Sequence, residues 1–395
     1  MKLRFFAVAL LAIPLCQSSF AMPLDQLVDS IVDSDPSLRI KAAEYASAWH
    51  DAKSENQLED PEFSFDHYWG DPKIGDKYTL AVSQSFDWPS VYGRRSRYAH
   101  ATRSAGEASL RADRAARVAE VRELVTQWVY NNMMISHTQE AANLYGRITA
   151  ATAAAADSGA VTKLDLQKAH LEEISMQRRV RQARTAREET YRQLVAANGG
   201  RPIAIETLQK VQLPPIGHLK PLAHYREAAA SQPAIQAKES LMQQSRAALS
   251  VAKSDRLPKF ALGYAYNNEF GDSFHGITGS ITLPVYSRRS RVAAAEEKCL
   301  AITDDVESSK LMLDADIASA YRRAEELGEE MKRQSDGLAQ YSIIPLLKES
   351  IESGLMTVTE YLHELDFELT MRSELIESSF EFATALNTLR QLAGE

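Results

Sequence analysis

The feature that most limits what this chain can fold into is an internal duplication. Phe86-Asp87-Trp88-Pro89-Ser90-Val91-Tyr92-Gly93-Arg94-Arg95-Ser96-Arg97 returns in near copy as Ile281-Thr282-Leu283-Pro284-Val285-Tyr286-Ser287-Arg288-Arg289-Ser290-Arg291. In each copy an alternating apolar stretch stops at a proline, an aromatic follows, and an Arg-Arg-Ser-Arg cluster opens helix-forming sequence. Each copy therefore reads as a strand handing over to a helix. Pro36 and Pro233 stand 197 residues apart, and so do Pro61 and Pro258. Two landmarks on one offset mark the repetition of a whole unit.

Each unit opens on helix. Leu24 to Val32 is amphipathic, and Asp35-Pro36-Ser37-Leu38 starts a helix to about Glu55, with the proline in the first turn, where its missing N–H costs nothing. Gln232-Pro233-Ala234-Ile235 starts its counterpart, to about Lys253. Alternation follows. Phe63, Phe65, His67 and Trp69 share one strand face, Gly70-Asp71-Pro72 and Gly75-Asp76 signal a turn, and Tyr78, Leu80, Val82, Gln84 and Phe86 line the return. In the second unit Phe260, Leu262, Tyr264 and Tyr266 go up, Asn267 to Ser273 turn, and Ile277, Gly279, Ile281 and Leu283 come down. The opposite faces carry Glu62, Ser64, Asp66, Thr79, Ser83 and Ser85, and Thr278, Ser280 and Thr282. Each unit thus contributes a hairpin, at about 61–88 and about 258–285.

Helix-compatible sequence then runs from Pro89 to about Asp157, with Val118, Val121, Val125, Trp128, Asn132 and Ile135 at alternating three- and four-residue spacing. About 69 residues at 1.5 Å each make a rod of roughly 100 Å. Ser158-Gly159 breaks it, and a return helix runs from about Thr162 to Asn198-Gly199-Gly200. The second unit predicts the same: a helix over about 286–352 with Ile317, Ala320, Ala324, Leu327 and Met331 inward, kinked by Pro345, then Ser353-Gly354 and a return to about Leu392. The 36–55 and 162–198 helices together match the long rod if they stack end to end. Residues 201–221, with Pro202, Pro214, Pro215 and Pro221, read as an irregular connector.

The first residues and the charge narrow the setting. Lys2 and Arg4 precede an apolar run from Phe5 to Leu15, and Ser19-Phe20-Ala21 forms a cleavage site, so residues 1–21 read as an export signal. Leu15 before Cys16 disfavours lipidation. Cleavage leaves Cys299 as the sole cysteine, which excludes an intrachain disulfide. It also leaves 43 basic against 53 acidic residues, a net charge of −10, which argues against nucleic acid as a partner. Outside the signal no apolar run reaches the ~18 residues of a membrane helix, whereas strands need only about ten alternating residues. Four strands cannot close a barrel, and open edges are not tolerated in lipid, so several chains must pool them. The alternative is a small soluble sheet packed on helices. Trp69, Trp88 and the arginines Arg94, Arg95, Arg97, Arg288, Arg289 and Arg291 suit a bilayer interface; the alternative for the arginines is a solvated helix start.

Signal, duplication, hairpins, long helices and glycine-bearing returns together resemble the TolC family of outer-membrane efflux channels over essentially the whole mature chain. The resemblance implies a mainly α fold with a membrane β-hairpin region. It implies a homotrimer whose twelve pooled strands form the barrel and whose coiled-coil tunnel crosses the periplasm. A periplasmic membrane-fusion adaptor and an inner-membrane pump, favoured as RND-type, would be its partners, with outer-membrane lipid around it. The family's tip motif is matched twice, as Gly159-Ala160-Val161-Thr162-Lys163-Leu164-Asp165 and Gly354-Leu355-Met356-Thr357-Val358-Thr359-Glu360. By that resemblance Gly159, Val161, Thr162, Asp165, Gly354, Leu355, Met356 and Thr357 dock the adaptor, although Gly and Thr also simply end and cap helices.

The family often forms an acidic ring at the periplasmic entrance. Glu360 fits its first position, but His363 stands at the second, followed by Glu364, which puts a cation-gating role for that position in doubt. These three are the gate candidates. Their i, i+3, i+4 spacing also allows a shared metal, but such triplets usually decorate a solvated face, and no metal or other cofactor is expected. Pro345 near the tip and Glu360-Tyr361-Leu362 are similar to the heavy-metal (CzcC-like) branch, which favours cation efflux. Multidrug or small-molecule efflux, type I protein secretion and a pore-free periplasmic scaffold are the alternatives. The run Arg178, Arg179, Arg181, Arg184 and Arg187 reads as a solvated or intersubunit helix face. The sequence has no P-loop, His-Glu-x-x-His or Gly-x-Ser-x-Gly, so no enzyme is expected.

Overall fold

The computed structural model describes residues 24–73, 75–284 and 289–395. The predicted signal, Cys16, Arg288 and the first residues of the second long helix lie outside them. In chain order the elements are α1 (Leu24–Asp33), α2 (Pro36–Ser54), β1 (Glu62–Tyr68), β2 (Lys77–Asp87), α3 (Pro89–Asp157), α4 (Lys163–Ala197), α5 (Ile205–Gln209) and α6 (Leu222–Ala229). Then follow α7 (Pro233–Ser254), β3 (Lys259–Glu269), β4 (Asp272–Thr282), α8 (Arg289–Tyr341), α9 (Ile344–Glu352) and α10 (Val358–Ala393). Two compact units result, one of Ser37–Asp113 with Ser231–Met312, the other of Met1–Pro36, Arg114–Ala230 and Leu313–Glu395.

The first of these holds one antiparallel sheet in the order β1-β2-β3-β4. Its register sets Phe63 opposite Val82 and Phe65 opposite Leu80, then Val82 opposite Tyr264, and Tyr264 opposite Ile277. Both hairpins therefore turn their aromatic and aliphatic side chains to one face. Ser64, Ala81, Ala265, Gly276 and Thr278 share the other, as the period of two requires. Among the described residues no core covers the apolar face: Phe63 is 79% exposed, Ile277 81% and Ile281 72%. A sheet packed on helices would have this face buried, and the described residues do not bury it. The β3–β4 turn is tighter than the predicted Asn267 to Ser273. Only Phe270 and Gly271 turn, at φ 56° and 98°, which extends both strands.

The second unit is helical. α3, α4, α9 and α10 bury Tyr145, Met176, Val180, Leu347, Leu362 and Leu365 together. Farther along α10, Phe382, Leu386 and Leu389 pack with Tyr225 of α6 and Ile317 of α8. Buried polar pairs fix the registers: Asn131 donates to Thr190 at 3.0 Å between α3 and α4, and Asn387 to Thr126 at 3.0 Å between α10 and α3. α1 buries Leu27, Val28, Ile31 and Val32, and α3 holds this region through Arg114–Asp33, Arg117–Asp35 and Arg122–Asp25 pairs. Gly199, at φ 67°, passes so close to this segment that a Cβ there would lie 2.8 Å from the Ser34 carbonyl oxygen. Only glycine fits that crossing.

Two predicted elements differ. The helix expected to run to 352 with a kink is two helices, broken at Ser342-Ile343. Pro345 has no N–H for the Tyr341 carbonyl, and its ring crowds that carbonyl, so α8 stops at Tyr341. The irregular connector contains α5, whose Leu208 is wholly buried. Burial of a single leucine orders five residues that propensity leaves undecided.

Candidate functional site

The two helical returns are built alike. Gly159 and Gly354 take φ 74° and 75°, the left-handed conformation in which glycine lets a helix reverse. Ala160 N–H and Leu355 N–H then donate back to the carbonyls of Ala155 and Ser350, at 2.9 and 3.0 Å. The return helices start on reciprocal caps. Thr162 accepts from Asp165 N–H at 3.1 Å, while Asp165 accepts from Thr162 N–H at 3.2 Å and its hydroxyl at 2.7 Å. Thr357 and Glu360 repeat this, with Glu360 N–H donating at 3.3 Å and the carboxylate accepting from the Thr357 N–H and hydroxyl at 2.8 Å each.

The structure brings the two returns together. Thr359 donates its hydroxyl to the free oxygen of Asp165 at 2.7 Å, so one carboxylate caps α4 and ties it to α10. This contact escaped the sequence reading, because Thr359 is separated from Asp165 by 194 residues and belongs to no motif position assigned a role. Leu355 projects at 83% exposure, and Leu164, also exposed, joins it among the apolar groups at the tips. Val161 is half-buried, and Met356 packs against the helical core.

Hydrogen bonds from Thr162 and then Thr359 hold the Asp165 carboxyl below its ordinary range. The Thr357 N–H and hydroxyl do the same for Glu360. Glu360 and His363 are exposed and Glu364 half-buried on the first turns of α10. Among the described residues no group of three or more His, Cys, Asp or Glu is placed to hold a metal ion. A carboxyl depressed by folding stabilises above its unfolded pKa and loses that contribution as pH falls through the folded one. Hydrogen-exchange protection of the first turn of α4 should therefore stay level from neutrality to about pH 4 and drop only below it. A drop beginning above about pH 5 would contradict the assignment of Asp165 as the cap.

At the strand-to-helix junction Arg94, Arg95, Arg97 and Arg291 are engaged by the chain. Arg95 donates to Asp87 at 2.8 Å, and Lys259 meets the other Asp87 oxygen at 3.3 Å and Glu59 at 2.8 Å. Arg94 donates to the Ser250 carbonyl at 3.1 Å, Arg97 to that of Gly93 at 3.2 Å, and Arg291 pairs with Asp255 at 3.1 Å. Trp69, Trp88 and Arg289 are exposed. The sequence reading missed Asp87, Glu59 and Lys259. An acid one residue before Trp88-Pro89, beside the arginine cluster, was the available signal.

A duplicated helix–hairpin–helix chain, with a two-faced four-stranded sheet and paired capped returns, defines the protomer of a tunnel-forming outer-membrane channel. The chain belongs to the outer membrane efflux protein family, whose profile matches residues 33–200 and 224–395. It is an outer-membrane protein of a channel family, not of an enzyme family. Solved structures share the fold. The CusC channel matches with TM-score 0.75 and 15% identity, covering 96% of this chain and 95% of that one. The CmeC outer membrane channel of Campylobacter jejuni matches with TM-score 0.76 and 16% identity, over 94% and 85%. The outer membrane protein VceC of Vibrio cholerae matches with TM-score 0.76 and 13% identity, over 94% and 96%. No curated protein matches the chain.

Proposed function

We propose that the protein is the passive outer-membrane conduit of a tripartite efflux system, working as a homotrimer. The observation that carries this reading is the sheet: one uncovered apolar face, one small and polar face, and two edge strands, β1 and β4, each paired on one side only among the described residues. Such a sheet is stable in lipid only when closed, and three copies supply twelve strands by pairing β4 of one with β1 of the next. The polar face then lines the pore and the apolar face meets acyl chains. Trp69 and Trp88 suit the headgroup levels, and so does exposed Arg289, while the engaged arginines brace the junction from within.

The tips dock a periplasmic adaptor, with Leu355 and Leu164 as exposed apolar contacts, and the adaptor joins the conduit to an inner-membrane pump of the RND type. Three copies of Glu360 at the entrance place negative charge where a cation would enter, with His363 and Glu364 modulating it. That charge, and the similarity of Glu360-Tyr361-Leu362 to the heavy-metal branch, favours metal cations as cargo. Purified protein in a planar bilayer is expected to conduct as trimers. A deletion strain is expected to lose tolerance of heavy-metal salts more than of dyes or antibiotics. A soluble, non-conducting protein would sink the conduit, and unchanged metal tolerance would remove the cargo.

A further inference from the structure

The break before α9 has no cap of its own. Its N-cap residue is Ile343, which has no acceptor side chain, and Pro345 brings no N–H. The free amides are met from α10. Ile343 and Ile344 N–H donate to Oε2 of Glu368 at 2.7 and 2.9 Å. The Ser342 hydroxyl donates to Oε1 at 2.7 Å, and Arg372, one turn further along α10, adds Nη2 and Nε at 2.6 and 3.1 Å. Glu368 is 2% exposed, next to the buried Leu369 of the helical core. A carboxylate in that setting is costly unless every lone pair is used, and five donors use them. Burial opposes its ionisation, but the bonds from Arg372, Ser342 and Ile343 outweigh it and hold the carboxyl below its usual range. The division of labour is clean: Oε2 serves only the backbone of the break, and Oε1 serves Ser342 and Arg372.

We propose that Glu368 is a pin by which α10 fixes the pose of α9, so that Ser342-Ile343 is the hinge on which the second tip moves against the first. This deepens the conduit reading and rests on it for its purpose, since the tips form the entrance. Two features support a hinge. The α-helical bond at Tyr341 is absent by covalent structure, because Pro345 cannot donate it. The two amides that the break frees, those of Ile343 and Ile344, both turn to one oxygen of one side chain. Glu368 is thus a positioning residue: it touches no cargo and acts through the pose of α9.

The test uses the full chain in nanodiscs, with two readouts. One is amide exchange at Ile343 and Ile344; the other is the distance between spin labels at Ala160 and Leu355, one on each tip. In Glu368→Ala, exchange at the two amides should accelerate about tenfold or more, as for a lost helix cap, with the rest of α10 within about twofold. The label distance should gain a second population. Glu368→Gln should stay near wild type in both, because its single oxygen can still face the two amides while Arg372 turns to solvent. Unchanged exchange in Glu368→Ala would overturn the pin. So would a Glu368→Gln variant as loose as Glu368→Ala, which would assign the effect to the ion pair. Faster exchange with an unchanged label distance would overturn the hinge. Neither readout needs a conducting pore, so a wild-type protein that fails to conduct sinks the conduit reading alone.

Discussion

Replacing Ile277 by arginine is expected to destabilise membrane insertion by about 2–4 kcal/mol in each subunit, whereas the same change at Thr278 costs about 1 kcal/mol or less. The two positions are neighbours at the middle of β4 and differ only in face. Ile277 lies in register with Tyr264 on the apolar side, and Thr278 lies opposite Gly263 on the other. Thr278 is exposed, so a longer side chain there can extend away from the sheet. Summed over a trimer, the Ile277 penalty is large against the stability of a typical domain. The heat-modifiable trimer recovered from outer membranes should fall sharply for Ile277→Arg and little for Thr278→Arg. Equal behaviour of the two would mean that the sheet does not divide lipid from lumen.

The second large effect is expected at Asp87. Its carboxylate is only 8% exposed and receives Arg95, itself 19% exposed, on one oxygen and Lys259 on the other. Asp87→Ala leaves an arginine largely desolvated without its partner, which costs about 3–5 kcal/mol where burial is complete. Lys259 is half-exposed and can turn to water, so about 2–3 kcal/mol is expected here. A double-mutant cycle with Arg95→Met should recover about 1–2 kcal/mol of coupling in urea unfolding. Coupling below about 0.3 kcal/mol would show that the cluster is solvated and does not brace the junction.

The returns were legible in the sequence because their determinants are local. A glycine in the left-handed conformation and a Thr-x-x-acid cap are specified by residues within one turn of each other. The hairpin faces were legible for the same reason, since a period of two needs only the strand itself. What joins these pieces was not legible. The Thr359 bond to Asp165, the bracing of Asp87 by Arg95 and Lys259, and the five donors on Glu368 each bring together residues distant in sequence or lacking a motif. Glu368 is the sharpest case. On a helical wheel it is an acid interrupting an apolar stripe, which sequence reasoning passes over as a defect, and its meaning lies in a break that Pro345 makes in another helix.

By itself the sequence determined the duplication, the order of helices and strands, and the amphipathic division of each hairpin, because these follow from short-range sterics and from periodicity along one element. Only the tertiary structure decided which carboxylates are spent on partners in other elements, as those of Asp87 and Glu368 are, and whether Pro345 bends a helix or ends it. Those outcomes depend on which donors meet a given oxygen across helices, and no spacing along the chain encodes that meeting.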